Sequence, residues 1–302
     1  MTELAGSAVP VAPDRRRLST RIVPLRVVTT TDLVVAVLAG IVQGIVEWLP
    51  VSSQGNLALF LTLVNVEPDV ALQLALFLQV GTTLSAATYY REDIRTAAEA
   101  LPGWRPDEAY AEDNALASYI VVACLMTGLV GIPLYVFAVD LAGQLTGGVF
   151  IAAIGVLLIL TGVLQLASES VSLGVRETPT LFDSVLVGAT QGIAILPGIS
   201  RSGVTTSALL FRSYDPPAAF RLSFILSIPA SLGGATLTVL GAGGLPGISP
   251  TAAFVALAVS ALVGYFTIDT LMRVVDRVPF WVVCFGLGGL AIVGGGVVSV
   301  VV

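Results

Sequence analysis

Six long apolar runs divide the chain, and their length restricts its fold more than any other feature. They cover residues 70–90, 115–138, 146–167, 217–241, 251–272 and 279–302. A helix needs roughly 20 apolar residues to cross the hydrocarbon core of a bilayer, so every run is long enough to span it. The runs therefore predict an all-α, polytopic integral protein of the plasma membrane, with about six spanning helices.

The charge content supports the same class and argues against several others. Only 11% of the 302 residues are charged and 56% are apolar, whereas about 25% are charged in ordinary soluble domains. The net charge of −6 argues against a nucleic-acid partner. The chain contains no histidine and no lysine, which excludes an imidazole base, a histidine metal ligand and a Schiff-base lysine. A soluble enzyme and a nucleic-acid-binding protein are therefore not expected.

Two further apolar stretches, residues 32–64 and 181–212, are interrupted near their middle by proline and small polar residues. The breaks lie at residues 49–56 and 196–203. Each half is too short to cross a bilayer alone, and irregular backbone is tolerated at membrane depth only inside protein or beside water. We therefore expect two re-entrant helical hairpins whose tips lie near the middle of the membrane.

The two broken stretches resemble each other. A Gln-Gly-Ile tripeptide begins at Gln43 and again at Gln191, 148 residues later, and each is followed by Leu-Pro, serines and glycine. Three candidate spanning helices follow each hairpin, and because three is odd the second copy starts on the opposite side of the membrane. This pattern is typical of an inverted-topology repeat, in which two hairpin tips meet at a central site. The sequence predicts a polar, disordered arm (1–31) and one membrane domain (32–302), with repeats of about 32–167 and 181–302.

The arginines predict the orientation of the protein. In this topology eight of them fall on one face, and the opposite loops contain none. The positive-inside rule makes the arginine-rich face cytoplasmic. The five arginines of the arm fall on the other face, and we give more weight to the short loops. The eight are Arg91, Arg95, Arg105, Arg176, Arg212, Arg221, Arg273 and Arg277.

Two charges lie deep in the apolar segments, Glu47 in the first hairpin and Arg201 in the second. A charge at the bilayer centre costs roughly 2.5–3.5 kcal/mol on insertion scales, so we expect it to be retained only if it is paired or used. A structural ion pair is the simpler interpretation. It does not account for the Ser, Thr, Gln, Asn and Gly around both charges, which are typical of a polar ligand site.

The neighbours of these charges suit a phosphorylated ligand. Residues 197–206 combine glycines that permit close backbone approach with hydroxyls and a helix N-terminus. Arg201 offers a planar fork that matches two phosphate oxygens. Gln43 and Glu47, four residues apart, share a helix face and could hold a divalent cation, or an acceptor beside a proton-transfer group. Helix capping by the serines and an interhelical contact by Gln43 or Gln191 are the competing interpretations.

Two motifs carry a family resemblance. Gln43-Gly-Ile-Val-Glu47 fits a (Glu/Gln)-x-x-x-Glu motif, and Pro197-Gly-Ile-Ser-Arg-Ser-Gly-Val-Thr205 fits a Pro-Gly-x-Ser-Arg-Ser-x-x-Thr motif. In this order and context they resemble the undecaprenyl-diphosphate phosphatase family, also called bacitracin-resistance proteins. The Leu-Pro-Val-Ser-Ser run that ends at Ser53 and the Leu-Gln-Val-Gly run around Gln79 add to the resemblance, which extends over residues 32–302.

The resemblance implies an integral membrane enzyme that depends on a divalent cation, Mg²⁺ or Ca²⁺. Such an enzyme removes the terminal phosphate of a long-chain polyprenyl diphosphate of the undecaprenyl type and leaves the monophosphate. The reaction recycles the lipid carrier for the cell envelope and confers bacitracin resistance, at a site that opens to the outer face. The expected partners are the lipid and the membrane, and a homodimer is left open.

Taken residue by residue, the resemblance makes Glu47, Ser53 and Arg201 the catalytic set. Glu47 is the essential carboxylate, Ser53 a candidate nucleophile and Arg201 the phosphate clamp. Gln43 is the partner of Glu47; both are candidate metal ligands, and Gln43 is also expected to bind substrate. The other residues expected to bind substrate are Ser52, Gln54, Asn56, Gly198, Ser200, Ser202 and Thr205.

One departure from the family pattern concerns proton transfer. The family has Gly-His after the serines, whereas this chain has Gly55-Asn56 and no histidine at any position. An amide cannot act as a base near neutral pH. Either Glu47 is the only base, which we favour, or the enzyme is slow, or the chain binds the lipid diphosphate without hydrolysing it. A lipid-phosphate flippase or transporter is a further alternative, because inverted repeats and broken helices are common in transporters.

Overall fold

The computed structural model describes residues 30–169, 174–275 and 279–301, and within them it contains eleven α-helices and no β-strand. Most of the predicted arm (1–31) lies outside the described residues, as does Arg277. Two 3₁₀ turns, Leu101–Gly103 and Pro106–Glu108, separate the fourth and fifth helices. The helices are α1 Thr30–Val46, α2 Ser53–Leu63, α3 Pro68–Tyr89, α4 Arg91–Ala100, α5 Glu112–Gln144, α6 Gly147–Glu169, α7 Leu181–Ile193, α8 Arg201–Phe211, α9 Pro216–Gly241, α10 Pro250–Val275 and α11 Phe280–Val301.

Six of the described helices (α3, α5, α6, α9, α10 and α11) are long and apolar enough to cross a membrane, which confirms the six predicted spans. Their bounds differ from the prediction by a few residues, except at α5. That helix has 33 residues instead of the 24 in the predicted range 115–138, because its ends extend into polar sequence and Pro133 does not end it. The length of an apolar run therefore predicts the part of a helix that lies in the hydrocarbon core, and not the full length of the helix.

The short helix α4 was not predicted. It is strongly amphipathic, with charged residues in its first turn and Ala97 buried. Ten residues with this many charges cannot span a bilayer, and the apolar pattern used to find spans misses such a helix.

Each predicted broken stretch is a pair of short helices joined by an irregular tip. The first pair is α1 and α2, and the second is α7 and α8. Proline prevents each first helix from continuing, and the backbone then reverses through Ser52 (φ 59°) and Gly198 (φ 103°). The second helices are capped by Ser52, which accepts from the Gly55 amide at 3.2 Å, and Ser200, which accepts from the Gly203 amide at 3.1 Å.

The helices pack in a two-fold pattern. α1 lies against α10 and α7 lies against α5, while α3 packs on α9 and α6 on α11. Glycine allows the two hairpin helices to approach their partners closely. A β-carbon on Gly44 would lie 2.7 Å from the β-carbon of Val263, and one on Gly192 would lie 2.7 Å from that of Val130. The two contacts correspond, because Gly44 and Gly192 are also 148 residues apart.

The tips lie well inside the helices they contact. Trp48 donates to the carbonyl of Gly264 (3.1 Å), which lies 14 residues into α10, about 21 Å along its axis. Gln191 donates to Thr127 (3.1 Å), which lies 15 residues into α5, about 22 Å along its axis. Both tips are therefore near the middle of spanning helices, an arrangement compatible with re-entrant hairpins.

The hairpins approach from opposite ends of the molecule. Arg221, near the start of α9, pairs with Asp93 of α4, so the end of α3 and the start of α9 lie together. Arg212, which follows α8, pairs with Asp183 at the start of α7 and lies four residues before α9 begins, so the open end of the second hairpin lies at the same end of the molecule. The first hairpin leads directly into the start of α3, at the other end.

Candidate active site

The two charges predicted to mark the site meet where the hairpin tips converge. Arg201 forms a salt bridge with Glu47 across 154 residues of sequence. Only 4% of the Glu47 side chain and 15% of the Arg201 side chain are exposed. The fold therefore places a carboxylate and a guanidinium together in an environment from which most water is excluded.

The second oxygen of Glu47 is held by two other predicted residues. Oε2 accepts a hydrogen bond from Nε2 of Gln43 (2.7 Å) and another from Oγ of Ser53 (2.7 Å). Gln43 is fully buried and also donates to Thr82 at 3.3 Å. A serine hydroxyl that donates to an oriented carboxylate is the arrangement that general-base activation of a nucleophile requires.

A cavity of about 60 Å³ adjoins this cluster, with room for about four water molecules. Part of its wall is apolar and comes from Leu76, Ala230 and neighbouring residues of α3 and α9. The predicted residues that line it are Glu47, Ser52, Ser53, Gln54, Ser200, Arg201 and Ser202. The structure therefore brings both tip motifs to one cavity, which polar and apolar side chains line together.

Four predicted site residues do not line this cavity and instead hold the tips. Gln43 orients Glu47. Asn56 donates to the carbonyls of Val51 (2.7 Å) and Ser52 (2.9 Å). The other two act on the second tip: the Gly198 amide donates to the Ser52 hydroxyl at 3.1 Å, and the Thr205 hydroxyl donates to the Arg201 carbonyl at 2.7 Å.

The serines that line the cavity differ in what their hydroxyls contact. Ser52 and Ser200 accept from backbone amides and cap their helices, so the capping interpretation applies to both. Ser202 lies 3.4 Å from the Ser200 hydroxyl, and Ser53 bonds Glu47. Gln54 donates to the carbonyl of Ile195 at 2.8 Å and so joins the two tips.

Arg201 retains unused donor capacity on its buried side. One terminal nitrogen pairs with Glu47, and the other, Nη1, is buried without a hydrogen-bond partner among the described residues. Arg201 is also the first residue of α8, where free amide groups and the helix dipole favour an anion. An unpaired guanidinium nitrogen at a helix N-terminus suits a phosphate group.

The donor set fits a divalent cation that is shared with a substrate. Among the residues described, no group of three or more His, Cys, Asp or Glu could enclose a metal, and Glu47 is the one carboxylate lining the cavity. Mg²⁺ is usually bound by one or two carboxylates together with substrate phosphates. The buried Oε1 of Gln43 has no hydrogen-bond partner among the described residues. Nε2 is the atom that faces Glu47, so Oε1 would become a second ligand only after the Gln43 amide turned over.

Several cavity residues were not predicted as site residues. Gln79 accepts from Ser231 (3.2 Å), and Gln191 donates to Thr127; all four line the cavity. Gln191 makes an interhelical contact with Thr127, which is the competing interpretation to a role in ligand binding. A single polar residue within an apolar span is the signal that points to these positions, and it is weak because such residues also bond between helices.

Comparisons with known proteins cover nearly the whole membrane region. A family model described as bacitracin resistance protein BacA matches residues 36–290. A protein of Haloarcula marismortui named undecaprenyl-diphosphatase is 48% identical over 87% of this chain and 97% of its own length. Proteins with the same name from Methanococcoides burtonii and Saccharolobus solfataricus are 38% and 35% identical, over 85% and 87% of this chain and 96% and 95% of their own lengths.

Proposed function

The chain belongs to the bacitracin resistance protein BacA family, and from this premise we propose that it is a multi-pass membrane undecaprenyl-diphosphatase. It hydrolyses the terminal phosphate of a polyprenyl diphosphate and leaves the lipid monophosphate, which recycles the carrier and confers bacitracin resistance. The observation that carries the proposal is the contact of Glu47 with both Ser53 and Arg201 beside the shared cavity.

Ser53 is assigned as the nucleophile. Its hydroxyl already points at Glu47, 2.7 Å away, so the carboxylate can accept the proton as Oγ attacks the terminal phosphorus. The Oγ–P bond forms while the bridging P–O bond breaks, and the lipid monophosphate leaves with the bridging oxygen. Water then attacks the phosphorus of the phosphoserine, and Glu47 returns its proton to the departing serine oxygen. Inorganic phosphate leaves with both hydrogens of the water.

Arg201 stabilises the charge on the transferring phosphoryl group. Its Nη1 has no partner, and the guanidinium can turn from Glu47 towards the phosphate oxygens. A divalent cation, Mg²⁺ or Ca²⁺, would be held by Glu47 together with the diphosphate, and would neutralise negative charge there. The side-chain oxygen of Gln43 would be a second ligand once the Gln43 amide has turned over. Asn56 takes no part in proton transfer, which leaves Glu47 as the base.

The arginine-rich end of the molecule is assigned to the cytoplasm by the positive-inside rule. Three arginines support this assignment. Arg221, near the start of α9, pairs with Asp93 of α4. Arg176 and Arg212 both pair with Asp183 at the start of α7, and Arg212 lies only four residues before α9 begins. We propose that the site opens towards the outer face, as the family resemblance implies, where a lipid diphosphate would reach it from the bilayer.

Phosphate release from undecaprenyl diphosphate by the purified protein tests this function, with Mg²⁺, Ca²⁺ or chelator present. We expect cation-dependent release, and a loss of about 100-fold or more in Glu47→Gln and Arg201→Ala. Asp93→Asn, which removes a carboxylate outside the cavity, is the matched control and should retain activity.

Two results would contradict the proposal. Full activity in a correctly folded Glu47→Gln variant would exclude the assigned base. Movement of the lipid across proteoliposomes without phosphate release would favour a flippase.

A further inference from the structure

Helix α6 carries a buried polar stripe that the proposed mechanism does not use. Thr161, Gln165 and Ser168 lie on one face of an otherwise apolar helix, and each is at most 8% exposed. None of the three lines the cavity. Polar side chains inside a membrane span are costly unless they find partners, so the contacts of this stripe need an explanation.

Thr161 holds the tip of the second hairpin. Its hydroxyl proton is shared with the carbonyl of Leu157 in α6 (3.0 Å). The hydroxyl also donates to the carbonyl of Gly198 (3.1 Å) and accepts from the amide of Ser200 (3.2 Å). Both are backbone groups of the irregular tip, where regular helical partners are missing. Ser200 immediately precedes Arg201, so this contact fixes the backbone that carries the guanidinium.

Gln165 holds the tip of the first hairpin. Its side-chain amide donates to the carbonyl of Pro50, which lies between Glu47 and Ser53 in the chain. The thiol of Cys284, from α11, reaches the same carbonyl at 3.5 Å. One turn further along α6, Ser168 accepts from Ser207 of α8 at 3.1 Å.

We propose that Thr161 and Gln165 are positioning residues that set the two hairpin tips in register, so that Glu47 and Ser53 face Arg201. The two residues are four positions apart on one helix, about 6 Å along its axis, and each bonds a different tip. The tips also bond each other directly, through Gln54 to the Ile195 carbonyl and through the Gly198 amide to Ser52. Helix α6 adds one rigid element that both tips contact, and so gives them a common reference for depth. The expected fall in kcat rests on the proposed function, whereas the positioning of the tips does not.

Kinetics of Thr161→Val and Gln165→Leu give the first test. A displacement of about 1 Å can reduce a rate about 100-fold, so we expect kcat to fall at least tenfold while KM changes less than about threefold. Thr161→Ser should restore most of kcat. The control is Thr236→Val, because the Thr236 hydroxyl bonds only its own helix and is exposed.

Amide hydrogen exchange gives a second readout that needs no turnover. Thr161→Val should accelerate exchange in residues 196–203, and Gln165→Leu in residues 47–53, with little change elsewhere. If the variants exchange faster at the tips but the wild-type protein releases no phosphate, the positioning role is upheld and the proposed function is rejected. Unchanged tip exchange together with unchanged kcat would overturn the inference. So would a fall in kcat that follows a general loss of thermal stability and is not restored by Thr161→Ser.

Discussion

Asp183→Asn should be one of the more destabilising conservative substitutions in this chain. The carboxylate is fully buried, and its Oδ1 accepts from Arg212 at 2.7 Å. Its Oδ2 accepts from the Thr180 hydroxyl (2.6 Å) and amide (3.0 Å), from Tyr214 (2.8 Å) and from Arg176 (3.3 Å). These contacts join the start of α7 to the end of α8 and so hold together the two chain ends of the second hairpin.

The size of the effect follows from these contacts. Asparagine presents an NH₂ group where the carboxylate accepts, so at least one donor faces another donor. Removing one partner of a buried ion pair costs about 3–5 kcal/mol. Arg176 and Arg212 are 34% and 36% exposed, and water can solvate them after the change. We therefore expect about 3 kcal/mol of lost stability, or a Tm lower by about 6 °C or more.

The pH dependence has a definite sign. Burial raises the pKa of Asp183, but hydrogen bonds from Arg212, Thr180 and Tyr214 outweigh burial and lower that pKa. A group with a lowered folded-state pKa stabilises the protein above its unfolded pKa, about 3.9 for Asp. This stabilisation is lost as the pH falls through the folded pKa. The Tm difference between wild type and Asp183→Asn should therefore be constant from about pH 5 to 8 and shrink below about pH 4.

Tryptophan fluorescence during heating, in detergent micelles, measures both quantities. Asp93→Asn is the matched control, because Asp93 pairs with Arg221 at side-chain exposures of 24% and 50%. Exposed ion pairs contribute about 0–1 kcal/mol, so its Tm should change by about 2 °C or less. A Tm for Asp183→Asn as high as that of the control, or a gap that persists undiminished at pH 3, would refute the reasoning.

Two more substitutions test how the tips fit together. A β-carbon on Gly55 would lie 2.6 Å from the Gly198 amide nitrogen, and backbone cannot give way there, so Gly55→Ala should reduce phosphate release at least about tenfold. Gly233→Ala is its control, since nothing lies within 4 Å of that β-carbon, and an equal loss in both variants would contradict the prediction. Asn56→Ala removes two hydrogen bonds to tip carbonyls and should lower stability by about 1–3 kcal/mol, measurable as Tm. An unchanged Tm in Asn56→Ala would show that these bonds do not stabilise the tip.

The spans and hairpin breaks were predictable because each rests on a strong physical constraint. Bilayer thickness sets the length of a spanning run, and proline with small polar residues interrupts a helix whatever its tertiary context. Helix α4 was missed because a short amphipathic helix at a membrane end obeys neither constraint. Its position depends on the ion pair of Asp93 with Arg221 and on Ala97, which is buried.

The candidate site was predictable to a different degree for charged and neutral residues. Glu47 and Arg201 stand out because an unpaired charge in an apolar segment is costly. Thr127 and Gln191 do not, since uncharged polar residues in a span also serve as interhelical contacts. Asp183 escaped notice because a carboxylate in the first turn of a helix is usually solvated, and three of its partners, Arg176, Arg212 and Tyr214, come from other segments.

The different roles of the two serines could not be predicted from their positions in the sequence, because the direction of each side chain depends on the backbone conformation. Ser52 and Ser53 are adjacent, yet the hydroxyl of Ser52 accepts from two backbone amides while that of Ser53 donates to Glu47. The difference arises from the left-handed backbone at Ser52 (φ 59°), which turns its side chain towards the second tip. Nothing in the order of the residues specifies that conformation for a serine.

The ion pair at the centre of the site explains how two charges can stay buried before substrate binds. A buried salt bridge adds little net stability, but each partner spares the other from being left unpaired away from water. An arriving diphosphate carries its own negative charge, so Arg201 can exchange Glu47 for phosphate oxygens without becoming unpaired. The same exchange frees one oxygen of Glu47, while Ser53 still donates to the other at 2.7 Å. Substrate binding would therefore separate Glu47 from Arg201 while Ser53 still donates to it, at the moment when the phosphate is in place.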